Sequence, residues 1–402
     1  MQAALRADRI SQVLLREDFL VLETVELLLG KSRESSPPEW TVVSQATQRV
    51  LVVDDSAFMR SLVTEIVEFR DDFRVVGTAA DGVEALERVR SLAPDIVTLD
   101  IAMPLMDGLG ALERIMQEMP RPVIIVSATE SAGFSASAVR ALELGAVEFV
   151  RKPSGPVSVD LVVIREQLLR ALDTASNVRF GRSGPTVTPH PMAKTPAPPF
   201  APPRGAKRIV VVAASTGGPR ALSEMISGFP PELEAAVLVV QHMPPEFVTA
   251  LADRLAQISA LPVTVGVDAE PLLAGHVYLA PGDGQMRVRR AHGGAEVRIE
   301  IDRGGPICGV RTSADPLFRS AAAIFGRQAI GVVLSGMGHD GAEGLRAIRG
   351  AGGGAIVQNR ATSIIYGMPA AALAAAGADR VAAAAEIASA INSLLAPRRR
   401  VA

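Results

Sequence analysis

The chain has 402 residues, 48% of them hydrophobic, 4% aromatic and 21% charged, with a formal net charge of -2. That length exceeds one ordinary core and predicts two domains with aliphatic interiors. The near-neutral charge gives no electrostatic footprint for nucleic acid, the single cysteine excludes an internal disulfide framework, and no uncharged apolar run reaches the ~18 residues of a membrane span.

In chain order, Leu14 to Leu29 comes first. It carries Arg16, Glu17, Asp18, Glu23 and Glu26, so it reads as an amphipathic helix and not as a signal peptide. Docking a partner, covering a domain and an early start codon all remain open for it. Residues 1–48 are left as an N-terminal extension.

From Arg49, short apolar runs (Val50–Val53, Val75–Thr78, Ile96–Leu99, Val123–Val126, Val147–Val150) alternate with helical patterns near 57–69, 83–92, 109–119, 135–144 and 158–177. This alternation predicts a doubly wound, five-stranded parallel α/β domain over residues 49–177. Residues 178–206 contain eight prolines and are expected to be an extended linker.

A second series spans residues 207–395. Its expected strands begin with Ile209–Ala213 and Ala236–Val240 and continue through Val263–Val265, Val277–Ala280, Met286–Arg290, Val297–Ile301, Ile330–Leu334 and Ala355–Val357. Helical patterns fall near 219–228, 245–258, 314–325, 341–350, 369–376 and 384–395. The middle strands, around Gly293-Gly294, predict an antiparallel hairpin opened by His276, inserted in a larger, mostly parallel α/β domain. Residues 396–402 read as a solvated basic tail. Cys308 reads as a small buried thiol and fits a reducing cytosol.

Strand ends carry the candidate chemistry. Asp54 and Asp55 end the first strand and Asp100 ends the third, so three carboxylates converge on the rim where a doubly wound sheet binds ligands. Such oxygens suit Mg²⁺, and Asp100 is then a candidate phosphoryl acceptor. Ser127 ends the fourth strand and Lys152 follows the fifth, where each can meet a phosphoryl group. A lone acidic residue at a strand end is as often a helix cap; several matching strand ends together argue for a site.

In the second series, Ser215 follows a strand and precedes Thr216-Gly217-Gly218-Pro219, a tight turn into a helix. Free N–H groups at that helix start suit an oxyanion. A serine nucleophile needs a base. Of five histidines, His242 directly follows the neighbouring strand, whereas His190 lies in the linker, His292 in a glycine turn and His339 in a glycine loop. Asp340, after Ile330–Leu334, is the candidate carboxylate partner, with a cap on the following helix as its plainer role. A serine, a histidine and an aspartate on one rim form the constellation that acyl transfer requires.

Residues 49–153 resemble the response-regulator receiver domain on Val53-Asp54-Asp55-Ser56, Asp100, Met103-Pro104, Met106-Asp107-Gly108, Val126-Ser127-Ala128 and Lys152-Pro153. That resemblance implies Mg²⁺ at Asp55, Asp100 and the carbonyl of Ala102 with help from Asp54. It also implies phosphorylation of Asp100 by a histidine kinase and a Ser127–Phe149 switch pair.

Residues 207–395 resemble the catalytic domain of chemotaxis protein-glutamate methylesterases. The matching stretches are Ala214-Ser215-Thr216-Gly217-Gly218, Gln241-His242-Met243, Tyr278-Leu279-Ala280-Pro281-Gly282, Ser313-Ala314-Asp315, Leu334-Ser335-Gly336-Met337-Gly338, Asp340-Gly341-Ala342 and Tyr366-Gly367-Met368-Pro369. It departs at Arg311-Thr312, where a proline is expected before Ser313, and at His339.

The resemblance implies Ser215 as nucleophile, His242 as base, Asp340 as its partner, Thr216 and Met337 as oxyanion or substrate helpers, and no cofactor in the catalytic site. The implied substrates are glutamate methyl esters, and also glutamines, on methyl-accepting chemotaxis receptors in the cytoplasm, with recruitment to receptor arrays. An unphosphorylated receiver is expected to cover the crevice. Three rivals stand beside this reading: a transcription regulator, against which the lack of a helix-turn-helix pattern argues; a catalytically silent scaffold; and the same chemistry in another signalling pathway.

Overall fold

Short apolar runs bounded by Asp, Gly or Pro build the first sheet. Its strands are β1 (Gln48–Val53), β2 (Phe73–Ala79), β3 (Ile96–Leu99), β4 (Val123–Ser127) and β5 (Glu148–Arg151). They pair in the order β2-β1-β3-β4-β5, all parallel. The intervening helices are α1 (Ala57–Val67), α2 (Gly82–Leu92), α3 (Gly108–Glu118), α4 (Phe134–Leu144) and α5 (Val159–Ser176). Side chains alternate across a strand, so Val50 and Val52 pack with α1 and α5 while Leu51 and Val53 pack with α2 and α3. Both faces are therefore covered, which is why these strands read as continuous apolar runs.

The computed structural model describes residues 47–128, 134–152, 159–178, 205–291, 294–305 and 311–396. The predicted N-terminal helix, nearly all of the proline-rich segment, Pro153, His190, His292, Cys308 and residues 397–402 lie outside them. Among the described residues no helix is long and apolar enough to cross a membrane.

The second sheet has seven strands, all parallel, in the order β14-β13-β12-β6-β7-β9-β8. They are β6 (Ile209–Ala214), β7 (Ala236–Gln241), β8 (Val263–Val265), β9 (Val277–Leu279), β12 (Ala329–Val333), β13 (Gly354–Gln358) and β14 (Arg380–Ala382). β10 (Gln285–Arg290) and β11 (Val297–Asp302) form a separate antiparallel pair, as the sequence predicts. The helices are α6 (Gly218–Ile226), α7 (Pro245–Ile258), α8 (Ala314–Phe325), α9 (Ala342–Gly350), α10 (Gly367–Ala376) and α11 (Ile387–Leu395).

Four details differ from the sequence reading. His276 precedes β9, a strand of the parallel sheet, and does not open the hairpin. β14 escaped notice because two of its three residues are exposed at the sheet edge, so it has no apolar run. The last helical pattern begins with a separate 3₁₀ turn at Ala384–Glu386. Gly205 and Ala206, read as linker, pair with Leu273 and Leu272.

Helices and loops join the two halves. Ala138 and Val139 of α4 belong to the same buried cluster as α6 and α7, and Ile365 of the second half is buried against α5. Burying a valine side chain such as Val139 contributes ~1.5–3 kcal/mol.

Candidate active site and phosphoacceptor site

The candidate phosphoacceptor cluster follows from strand order. β1 and β3 are neighbours, and the Asp100 N–H donates to the Val53 carbonyl at 3.0 Å, so the two strand ends lie side by side. Asp54 and Asp100 are 2% and 3% exposed, whereas Asp55 is exposed. One carboxylate oxygen from each of the three lies within 4.8 Å of the others. Lys152 Nζ lies 2.7 Å from Oδ2 of Asp54 and 2.7 Å from Oδ2 of Asp100.

Burial pushes the Asp54 carboxyl up, the Asp100 charge adds to that push, and the Lys152 contacts oppose it. Burial alone would lower Lys152, but Asp100 and Asp54 outweigh it and hold the ammonium charged. Ser56 and Ile101 N–H groups donate to Asp54 and Asp100 at 3.0 and 2.7 Å. Ala102 is exposed in the loop after Asp100. A Cβ at Gly108 would lie 1.9 Å from the Asp100 carbonyl oxygen, so this loop closes against helix α3 only because that residue is glycine. Ser127 is buried, and its carbonyl accepts from the Lys152 N–H at 2.9 Å. Phe149 packs against the cores of both halves, with its ring centroid 5.3 Å from that of Phe247 on α7.

The second site is built the same way. Ala214 pairs with Gln241 in the β6–β7 register, so the next residues, Ser215 and His242, emerge from adjacent strand ends. The His242 N–H donates to the Ala214 carbonyl at 2.9 Å, and the Ser215 N–H to the Ser335 carbonyl at 3.0 Å. Gln241 Nε2 holds the turn by donating to the Ser215 and His242 carbonyls at 2.9 and 3.0 Å. Gly217 sits at φ +78°, left-handed backbone that favours glycine.

Asp340 arrives from the other side, after β12, which also neighbours β6. Its Oδ2 lies 2.7 Å from His242 Nε2. The sequence's plainer role for Asp340, capping the helix that follows it, is not what the structure contains: Gly341 occupies that position. Asp340 instead takes N–H bonds at the start of α8, from Ala314 at 2.7 Å and Asp315 at 3.4 Å, and Ser313 Oγ donates to its Oδ1 at 2.6 Å. Burial opposes the charged form, but the His242, Ser313 and Ala314 bonds outweigh it and hold the Asp340 carboxyl below its ordinary value. The positive end of α8 acts in the same direction.

Ser215, Thr216, His242 and Met337 line one cavity of about 630 Å³. Ser215 Oγ has no hydrogen-bond partner among the described residues. Across the same cavity lie Phe149, Lys152 and Gln167 of the first half. Sequence reading gave no role to Ser313, which bonds Asp340, to Gln241, which holds the Ser215 and His242 carbonyls, or to Arg60, which donates to the Asp54 and Asp55 carbonyls. The spacing Ser313-Ala314-Asp315 signals an N-terminal helix cap, but nothing in sequence says that the cap's partner is Asp340.

Residues 210–391 match the family described as CheB methylesterase, and residues 50–163 that described as response regulator receiver domain. The protein-glutamate methylesterase/protein-glutamine glutaminase 1 of Syntrophomonas wolfei subsp. wolfei is 40% identical over 350 residues, spanning 87% of this chain and 99% of its own. The protein-glutamate methylesterase/protein-glutamine glutaminase of Symbiobacterium thermophilum is 42% identical over 341 residues, 80% of this chain and 90% of its own. The crystal structure of the Thermotoga maritima CheB methylesterase catalytic domain aligns at 37% identity and a TM-score of 0.45 over 46% of this chain and 98% of that one.

Proposed function

We propose that this chain, which belongs to the CheB methylesterase family, hydrolyses glutamate methyl esters and deamidates glutamines on methyl-accepting chemotaxis receptors through Ser215, under the control of its own receiver domain. It is a hydrolase of the protein-glutamate methylesterase/protein-glutamine glutaminase type with an N-terminal receiver. The observation that carries the residue assignment is the 2.7 Å bond from His242 to Asp340, on strands flanking the one that ends at Ser215.

Asp340 engages Nε2 of His242 and so keeps a proton there. That leaves Nδ1, with its lone pair, free to act as the base for Ser215. Ser215 Oγ attacks the ester or amide carbonyl carbon as its proton passes to Nδ1. The resulting oxyanion takes hydrogen bonds from the N–H groups of Thr216 and Met337, neither of which donates among the described residues. His242 then protonates the leaving methoxide or amide, releasing methanol or ammonia. Water, deprotonated by His242, resolves the acyl-enzyme to glutamate. Ester and amide share this intermediate, so one site serves both reactions.

In the receiver, the Asp54, Asp55 and Asp100 oxygens, with the Ala102 carbonyl, are a donor set suited to Mg²⁺. Burial first, and the neighbouring Asp100 charge after it, raise the Asp54 carboxyl. Held by these oxygens, Mg²⁺ would supply positive charge against what develops on the phosphoryl group. Asp100 accepts the phosphoryl group from a chemotaxis histidine kinase, and Lys152 pairs with it. Ser127 and Phe149 then relay its presence to the contact with Phe247. The residue ranges are 49–177 for the receiver, 178–206 for the linker and 207–395 for the catalytic domain. The site of action is the cytoplasmic face of receptor arrays.

The test is methanol release from methylated receptor, with and without a phosphodonor. Release that rises with the donor and vanishes in Ser215→Ala supports the reading. Equal release with and without donor removes receiver control, since a ligand that favours neither state shifts no population.

A further inference from the structure

The geometry points to a carboxylate subsite at Arg360 and Tyr366, where the enzyme reads an ionised glutamate beside the group it hydrolyses, so that each product carboxylate favours hydrolysis of the next site on the same receptor helix. This deepens the reading above and rests on it: Ser215 is the nucleophile and the substrate is a receptor helix.

Position is the first argument. Arg360 follows Gln358, the last residue of β13. β13, β12 and β6 are parallel neighbours, so Arg360 leaves the sheet at the same edge as Ser215. His242 follows β7, on the other side of β6. The loop carrying Arg360 is packed against the nucleophile's own surroundings. A Cβ at Gly217 would lie 2.7 Å from Cβ of Ile364, and one at Gly336 would lie 2.7 Å from Cβ of Ser215. Tyr366 forms a parallel bridge with Gly336. The Gly336 N–H donates to the Ile365 carbonyl at 3.1 Å, and the Met368 N–H to the Gly336 carbonyl at 2.8 Å. Tyr366 therefore sits beside the Gly336-Met337-Gly338 loop that faces Ser215.

Rigidity is the second argument. The Asn359 N–H donates to the Ala382 carbonyl at 2.8 Å, and the Thr362 N–H to Asn359 Oδ1 at 3.0 Å. Gln358 Nε2 donates to the Thr362 carbonyl at 2.9 Å, and Ser363 Oγ to the Asn359 carbonyl at 2.8 Å. These bonds hold both flanks of Arg360 in place.

The third argument is the state of the guanidinium itself. Its carbon lies 4.5 Å from the centroid of the Tyr366 ring. Arg360 is exposed, and among the described residues it has no hydrogen bond and no ion pair. Stacking on the ring fixes the plane of the guanidinium and leaves its N–H edges open. Such an edge matches a carboxylate with two parallel hydrogen bonds.

The substrate supplies the matching group. Side chains about three, four and seven residues apart share one face of an α-helix, which rises ~5.4 Å per turn. A helix that presents one ester or amide to Ser215 lays its neighbours along the rim. A neighbouring glutamate gives Arg360 its counter-charge when ionised, whereas a methyl ester or a glutamine there does not. Hydrolysis of either yields a carboxylate, so one turnover improves the helix as substrate for the next.

The experiment measures methanol release by the full-length chain, treated with phosphodonor and Mg²⁺, from two forms of methylated receptor. Each has one reacting ester; its same-face neighbours are glutamate in one form and alanine in the other. The expected result is a kcat/KM about fivefold higher for the glutamate form, carried by KM and reduced by added salt. Arg360→Ala should lower the glutamate form to the level of the alanine form and leave the alanine form unchanged. Equal kcat/KM on the two forms with wild type would overturn the proposal. So would an advantage that survives Arg360→Ala, or an equal fall on both forms, which would make Arg360 structural. Wild type that releases no methanol from either form would instead remove the receptor as substrate, and the subsite with it.

Discussion

Arg254 on α7 donates through Nε to Oε2 of Glu143 on α4 at 2.8 Å, and that glutamate side chain is 5% exposed. Ser223 Oγ on α6 donates to the other oxygen at 2.7 Å, and Arg140 lies 3.3 Å from Oε2. A buried carboxylate of the receiver thus depends on cations and a hydroxyl, two of the three from the catalytic half.

Arg254→Ala removes the closest cation. Breaking a buried pair costs ~3–5 kcal/mol, and the one-third exposure of Arg254 reduces that to about 1–3 kcal/mol here. The closed contact loses that amount, whereas an open receiver leaves Glu143 in water. Basal demethylation of receptor by the unphosphorylated variant should therefore rise about 5- to 150-fold. A basal rate equal to wild type would show that this contact does not hold the closed state.

Ser313 should matter although it touches no substrate. Ser313→Ala deletes the 2.6 Å bond to Asp340, a hydrogen bond to a charged group, typically worth ~1.5–3 kcal/mol. The expected outcome is a fall in kcat of about 10- to 100-fold with KM unchanged, because Asp340 then holds His242 less well.

Stability should carry a matching signature. Asp340 titrates below its ordinary 3.8, and a depressed carboxyl contributes stability that is present above the unfolded value and lost as pH falls through the folded one. The stability gap between wild type and Ser313→Ala, measured by denaturant unfolding, should close below pH 3.8. A gap that persists at lower pH would assign Ser313 to packing alone.

The receiver site predicts a metal-dependent stability. Asp54 is raised by burial and by Asp100, so binding a divalent cation relieves an unfavourable charge. Mg²⁺ at 100 times its dissociation constant should stabilise the fold by about 2.7 kcal/mol, read as a shift in thermal midpoint. Asp100→Asn and Asp54→Asn should each lose most of that shift, and Asp100→Asn should also lose phosphodonor-dependent activation. Lys152 contributes in the opposite pH sense. Its raised value means its pairing is intact below 10.5 and fails as pH rises through the folded value. An unchanged Mg²⁺ shift in Asp100→Asn would contradict the assignment of the metal site.

Both parallel sheets were legible because their strands are buried on both faces and leave uninterrupted apolar runs such as Val50–Val53 and Ile209–Ala213. The rim residues were legible because a parallel sheet sends all its strand ends to one edge, which brings Ser215 and His242 to neighbouring strand ends from separate βα units. What stayed hidden depends on tertiary contact. Asp340 caps α8 and not its own helix, a partnership with no local spacing to reveal it. Glu143 looks like any charged residue on an exposed helical face until α6 and α7 cover it. β14 lies at an edge and buries too little to leave a pattern.

The most direct measurement is mass analysis of receptor peptides after incubation with wild type, Ser215→Ala and Asp340→Asn. The account predicts that wild type lowers each methylated glutamate by 14 mass units per site, the CH₂ lost when ester becomes acid, that Ser215→Ala does nothing detectable, and that Asp340→Asn is slower by about 10⁴-fold. Demethylation by Ser215→Ala at a rate near wild type would contradict it.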